Sequence, residues 1–269
     1  MHNILLNQPL SIDKGYLNSL ILSFAMGLKL NSFKSDKEID FEMVQNVQLQ
    51  QESAQAQGST SFPVVLNVIG PIVKYSSWNY WGTQSILKLV QHLQNDERVS
   101  AIVFNIDSGG GMVSGTAELC GVIKQLSVPT VAFTNGYMCS AAYDIASACD
   151  KRVAHPNADL IGSIGTMLSY QDFSAMFEKW GAKFYEIYAP QSSEKNAEFR
   201  ALLEDNEAPY KARLEYLAQD FIDRISENLG ENLKDDGKVL KGKTYTPKQA
   251  LDIGLVDELA TLNDVINHF

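Results

Sequence analysis

The chain has 269 residues, 45% of them hydrophobic, which allows one large α/β domain or two small ones with a sizeable core. Its 32 acidic residues against 22 basic ones leave a formal net charge of −10, which argues against a nucleic-acid binder. Cys120, Cys139 and Cys149 are odd in number and lack metal-ligand spacing, so they read as buried thiols of a reducing compartment. No Walker or zinc-finger pattern appears, and neither a metal nor a cofactor is expected.

Residues 17–30 hold Leu17, Leu20, Ile21, Leu22, Phe24, Ala25, Met26 and Leu28. The run falls short of the roughly 20 apolar residues that a bilayer span needs. It also lacks the basic start and small-residue cleavage site of a signal peptide. It reads as a helix packed on the body or on a neighbour, so no integral membrane anchor is expected. Residues 45–61, rich in Gln, Ser and Ala, read as a flexible linker. The expected organisation is an N-terminal helical extension and linker over 1–61 and the main domain over 62–269. Val64-Val65-Leu66-Asn67-Val68-Ile69-Gly70 is its first strand, and a helix over 83–94 carries His92 on its surface.

Val99-Ser100-Ala101-Ile102-Val103-Phe104-Asn105-Ile106 is an apolar run closed by a turn signal, and it predicts a buried strand. Asp107-Ser108-Gly109-Gly110-Gly111 follows at once. Residues 114–125 predict a helix with Leu119, Val122, Ile123 and Leu126 along one face. Val128-Pro129-Thr130-Val131-Ala132-Phe133 is the next strand, with Asn135-Gly136 ending it and a helix beginning near Ser140. Strand, glycine turn, helix and strand make a βαβ unit of parallel sheet, whose C-terminal strand ends face the ligand crevice. Gly109 to Gly111 and Ser140 both follow strand ends and face each other in this reading. Arg152-Val153-Ala154 and Phe184-Tyr185-Glu186-Ile187-Tyr188 predict further strands. Tyr210, Leu214, Leu217, Phe221, Ile225 and Leu229 recur at helical spacing, as a core face or a subunit contact. Thr246-Pro247-Lys248-Gln249-Ala250 opens a short helix with proline near its first position.

Taken singly, these signals are bland. Three glycines after a strand make a tight turn or a phosphate cradle. A lone serine before a helix is a cap, and a lone lysine is a solvated charge. Four blocks taken together are more specific. Ile106-Asp107-Ser108-Gly109-Gly110-Gly111, Ser140-Ala141-Ala142-Tyr143, Leu160-Ile161-Gly162-Ser163-Ile164-Gly165, and Gly242-Lys243-Thr244-Tyr245-Thr246 with Gln249-Ala250 and Gly254-Leu255-Val256-Asp257 occur in this order. Over residues 63–260 the chain resembles the signal peptide peptidase A (SppA) family of serine peptidases. The blocks are similar to that family's Ser-Pro-Gly-Gly turn, its Ser-Gly-Gly-Tyr nucleophile block, its Gly-Ser-Ile-Gly block and its closing segment. The resemblance implies an α/β ClpP/crotonase-like fold of repeated β-β-α units.

It also implies a nucleophile at Ser140 and a base at Lys195. Ser193-Glu194-Lys195-Asn196 occupies the family's Gly-x-x-Lys-Asp region, without the glycine and with Asn196 in place of aspartate. A serine hydroxyl needs a neighbouring base to become a nucleophile. Lysine titrates near about 10.4 in water, and burial lowers that value. A partly buried Lys195 would take the Ser140 proton and return it to the leaving amine. Backbone N–H groups of Gly110 or Gly111 and of Ala141 would hold the oxyanion. The rival base is His155, since the ClpP branch of the fold uses Ser-His-Asp; a turn role before Pro156 is the plainer reading. His2 and His268 lie near the chain ends.

The implied activity is a Ser-Lys serine endopeptidase acting on a peptide or protein. One-repeat relatives with an N-terminal extension resemble phage prohead proteases, which cut scaffold and capsid proteins inside the assembling shell. This favours a phage or prophage head-maturation peptidase of the host cytoplasm or procapsid. A cellular SppA-like peptidase and an inactive structural homologue acting in assembly stand as alternatives. In two-copy relatives Lys and Ser come from different copies of the domain, so a homo-oligomer, a closed ring, is expected.

Overall fold

The computed structural model describes residues 10–12, 36–76, 80–170 and 172–269, with side chains from residue 43 onward. The apolar run at 17–30 and His2 lie outside them. The chain enters as β1 (Leu10–Ile12) and α1 (Asp36–Ala56). Then come β2 (Phe62–Ile69), α2 (Thr83–Leu93), β3 (Val99–Ser108), β4 (Gly110–Met112) and α3 (Thr116–Ile123). β5 (Thr130–Cys139), α4 (Ala141–Ser147), β6 (Lys151–Ala154) and β7 (Ile161–Gly162) build the centre. α5 (Ser174–Lys179), α6 (Ala197–Leu203), α7 (Ala208–Leu229), β8 (Thr244–Tyr245), α8 (Pro247–Asp252), β9 (Glu258–Leu259) and α9 (Leu262–Asn267) complete the order.

The main sheet runs β2-β3-β5-β6-β9, all parallel. Alternation along each strand sends side chains to two faces. Ile102, Phe104 and Ile106 of β3 enter the large core beneath α2, α3, α4 and α7, while Val103 faces the smaller cluster that Val265 of α9 closes. β5 is long enough to serve two neighbours in turn. Val131 to Thr134 pair with β6, and Met138 and Cys139 pair with β7.

Three sequence expectations change here. Residues 45–56 belong to the helix α1 and are not a flexible linker. Met43 is buried, Val47 and Ala54 pack on the core, and the Gln50 amide fixes the helix to the sheet edge. Its Nε2 donates to Val65 O at 2.9 Å, and its Oε1 accepts from Val65 N–H at 2.8 Å. One side chain thus satisfies both outward groups of an edge-strand residue. Asn135-Gly136 does not end β5. The ladder to β3 shifts register between Ile106 and Ser108, and the Asp107 carboxylate fills the irregularity, accepting from Tyr137 N–H at 3.0 Å. A Cβ on Gly136 would stand 2.4 Å from that carboxylate, so the glycine makes room for it where a turn was expected. Residues 184–188 form no strand, because none of the described residues pairs with them. Phe184, Tyr185 and Ile187 are 58%, 79% and 94% exposed. In α7 the core face is the C-terminal half, Phe221, Ile225 and Leu229; Tyr210, Leu214 and Leu217 are only half-buried.

α4 is wholly buried. Asp144 on it meets Arg224 of α7, Nη2 to Oδ2 at 2.8 Å, and Arg224 also reaches Asp220. Burial raises the Asp144 carboxyl above the usual carboxylate range, against the pull of Arg224. Tyr143 OH donates to Leu255 O at 2.7 Å, which ties α4 to the closing segment.

Two substitutions test these ties. Gln50→Ala should lower the free energy of unfolding in urea by about 1–2 kcal/mol with an unchanged m-value, by stranding the Val65 groups. Arg224→Met should cost about 3 kcal/mol at neutral pH, since it leaves a buried carboxylate unpaired. That deficit should shrink on acidification. The folded-state pKa of Asp144 is raised, so below the ordinary carboxylate range the group is neutral in both folded and unfolded chains and the penalty vanishes. A deficit independent of pH would refute this account of the pair.

Candidate active site

Ser140 sits between the end of β5 and the start of α4, in a conformation that a side chain rarely adopts, φ 57° and ψ −124°. Its N–H donates to Gly162 O at 2.7 Å, and its carbonyl accepts from Asp144 N–H at 3.0 Å. The residue is 1% exposed, and among the described residues its Oγ has one partner, Gly165 O, at 3.5 Å. An extended strand and a buried helix therefore meet at a strained serine whose hydroxyl has only a long, weak hydrogen bond. Next to it, Ala141 opens the helix, so its N–H has no acceptor within α4.

The Gly162-to-Gly165 block forms the facing wall. Gly162 takes φ 113°, and Ser163 takes φ 55° with its N–H on Lys243 O at 3.0 Å. The closing segment supports this wall through β8, which pairs antiparallel with β7, and α7 supports it where Thr166 Oγ1 donates to Leu214 O at 3.0 Å. Asp257 holds Arg152 twice, from its backbone N–H and its guanidinium, each at 2.7 Å. The motifs spread over 106–257 in sequence are thus brought around one serine.

The glycine turn is divided in its duties. Gly110 has φ 102°, and its N–H donates to Ser108 Oγ at 3.1 Å. Ile72 N–H donates to Gly110 O, and Met112 N–H donates to Ile72 O, both at 2.9 Å. Backbone groups alternate sides along a strand, so the Gly111 N–H points the opposite way. Of the two glycines expected at an oxyanion hole, Gly111 has the N–H that is not tied back to its own turn. β4 packs against α4, which brings Gly111 and Ala141 to the same end of the sheet.

Lys195 stands apart. It is exposed, in the loop before α6, and its ammonium makes no hydrogen bond or ion pair among the described residues. Its loop is shaped by the Arg200 guanidinium, which binds Lys195 O and Ser193 O, and by Asn196 at φ 56°. Lys179 and Lys183 are also exposed. His155 Nδ1 accepts from Asn157 N–H at 3.1 Å, the turn role expected of it. Cys120, Cys139 and Cys149 are buried, and burial pushes the Cys120 and Cys149 thiols up. Among the described residues no His/Cys/Asp/Glu cluster is placed to hold a metal, and no helix is long and apolar enough to cross a membrane. Sequence reading missed Asp107 and Arg224. Asp107 stood in a quoted block as a turn residue, and Arg224 offered only a cation flanking the apolar stripe of α7.

Known proteins share this arrangement to different degrees. The capsid assembly protease C of Escherichia phage lambda is 26% identical over 280 residues, covering 97% of this chain and 62% of the phage protein. A putative signal peptide peptidase SppA of Enterococcus faecium is 23% identical over 236 residues, covering 82% of this chain and 66% of that protein. The chain therefore spans less than two thirds of the length of these relatives. Among solved structures, the 1510-N membrane-bound stomatin-specific protease superposes with a TM-score of 0.51 at 17% identity, over 77% of this chain and 84% of that one. That likeness is one of fold, and it agrees with the α/β ClpP/crotonase-type architecture expected from the motifs. A family model described as peptidase family S49 matches residues 123–269, from the end of α3 through the serine elbow to the last helix. The match takes in more than half of the chain, and the chain belongs to peptidase family S49.

Proposed function

We propose that the chain is a serine endopeptidase in which Ser140 is the nucleophile and Lys195 the base. The observation that carries this reading is the strained serine at the β5–α4 junction, with a weakly held hydroxyl beside the Ala141 N–H, which has no acceptor within α4. Ser140 Oγ attacks the scissile carbonyl, and the Gly111 and Ala141 N–H groups receive the oxyanion. Lys195 takes the serine proton and passes it to the leaving amine, and water then releases the acyl group. The domain proposed for this work is 62–269, with 1–61 as the extension.

Within one chain Lys195 is exposed and has no bond to Ser140, so a second copy is assigned the task of supplying it. The segment leading to Lys195 supports this. Phe173, Phe177, Trp180, Phe184, Tyr185 and Ile187 are all exposed there, an apolar surface that a neighbouring copy would cover. Covering it would also bury the Lys195 loop, and burial favours the neutral amine that a general base requires. A closed homo-oligomer repeats one such contact at every site. The phage relative, a capsid assembly protease, supports a role in head maturation, with scaffold or capsid protein as substrate and the procapsid or host cytoplasm as location.

Ser140→Ala should abolish peptide cleavage and labelling by a fluorophosphonate while the fold is kept. Lys195→Ala should lower turnover by about 10²–10⁴-fold, and His155→Ala should change it little. An essential His155 with a dispensable Lys195 would replace the dyad by a ClpP-like arrangement. A wild-type chain that never labels would favour the inactive assembly homologue, a reading that Asn196 and the exposed Lys195 keep alive.

Complementation tests the shared site. Ser140→Ala mixed with Lys195→Ala under exchange conditions should regain part of the wild-type activity. No recovery despite proven exchange, or full activity in a monomer by light scattering, would leave the site within one chain.

A further inference from the structure

Strand β4 has two backbone edges, and both are taken. Ile72 holds one through Gly110 O and Met112 N–H. The other is covered by the chain's own β1, antiparallel, in the register Leu10 to Met112, Ser11 to Gly111 and Ile12 to Gly110. The alternation of backbone groups makes Ser11 and Gly111 the pair that exchanges both hydrogen bonds. The Gly111 N–H assigned to the oxyanion therefore faces the Ser11 carbonyl. β4 also packs on α4, the helix that begins directly after Ser140. A segment far upstream in sequence thus lies, as an extended strand, along an edge of β4, the strand that packs on the helix following Ser140.

We infer that β1 is an internal competitor for the peptide-binding edge: it closes the site in the resting chain and must leave before a substrate strand can enter. The inference rests on the reading of Ser140 as nucleophile and adds a regulatory step to it. An extended peptide added to a sheet edge is held by main-chain bonds, and those bonds do not depend on its sequence. A substrate can therefore replace β1 bond for bond. β1 pairs over only three residues, as an antiparallel partner to a three-residue strand, in a sheet of its own with β4. A pairing so short makes a removable cover. When β1 leaves, Gly111 exposes an unpaired N–H and C=O while Ile72 keeps the opposite edge fixed, so the strand stays in place to receive a peptide.

Ser11→Pro in the full chain tests this, because proline deletes the N–H that Ser11 gives to Gly111 O. Loss of that bond should speed fluorophosphonate labelling of Ser140 about five- to tenfold. Ser11→Ala, which keeps the main chain, should label at the wild-type rate. The second measurement needs no catalysis. A fluorescein-labelled peptide with the sequence of residues 6–16 is titrated against Ser140→Ala and against Ser140→Ala/Ser11→Pro, with anisotropy as readout. It should bind the double variant more tightly by about the same factor. Equal affinities, or equal labelling rates for Ser11→Pro and wild type, would make β1 a structural edge cover and overturn the inference. If no variant labels at all, the nucleophile assignment has failed, and the anisotropy comparison still decides whether β1 competes for the edge.

Discussion

Everything at the candidate site depends on β5 reaching Cys139 before the chain turns. A parallel strand that stopped at Asn135-Gly136 would leave Ser140 several residues short of the Gly162 wall. The chain continues because Asp107, at the end of the neighbouring strand, turns its carboxylate into the irregularity and binds Tyr137 N–H. Gly136 supplies the space, and Thr134 Oγ1 accepts the Gly136 N–H at 3.1 Å. One side chain between two strands thus converts a turn signal into a bulge, and the bulge sets where Ser140 stands.

The serine conformation itself costs on the order of 1–3 kcal/mol. It persists because the residues on either side of Ser140 cannot relax. β7 holds Cys139 through the ladder, Gly162 O holds the Ser140 N–H, and α4 is fixed in the core by the Tyr143 hydroxyl and by Arg224. Those anchors come from residues far along the chain, Leu255 and Arg224. Both lie within the stretch that the S49 match covers, from the end of α3 to the C-terminal helix.

The parts legible in the sequence were those set by local rules. The apolar runs of β2, β3, β5 and β6 stand out because both faces of a parallel sheet are buried, and the start of α8 is marked by Pro247 at its first position. The motif blocks pointed to Ser140 and its glycine wall together. What stayed hidden was set by partners distant in sequence. The α1 helix has a glutamine-rich surface and little apolar periodicity; Gln50 makes it fit by bonding to the edge of β2. Phe184-Tyr185-Glu186-Ile187-Tyr188 has strand chemistry without a strand partner among the described residues, and Phe184, Tyr185 and Ile187 are exposed. The tie between Asp144 and Arg224 joins residues 80 apart, beyond any periodic signal.

Gly111 shows how packing and chemistry can demand the same residue for separate reasons. A Cβ there would lie 2.1 Å from the Ile72 carbonyl oxygen, a backbone atom that cannot swing away. The glycine is therefore required by the approach of Ile72, whatever the reaction. Without a side chain, the same close approach fixes one edge of β4 and aims the remaining N–H and C=O toward β1. An N–H fixed in that way loses little freedom when it meets an oxyanion, which is the condition for effective electrostatic stabilisation. The packing constraint thus comes first, and an N–H held fixed on the β1 edge of β4 follows from it.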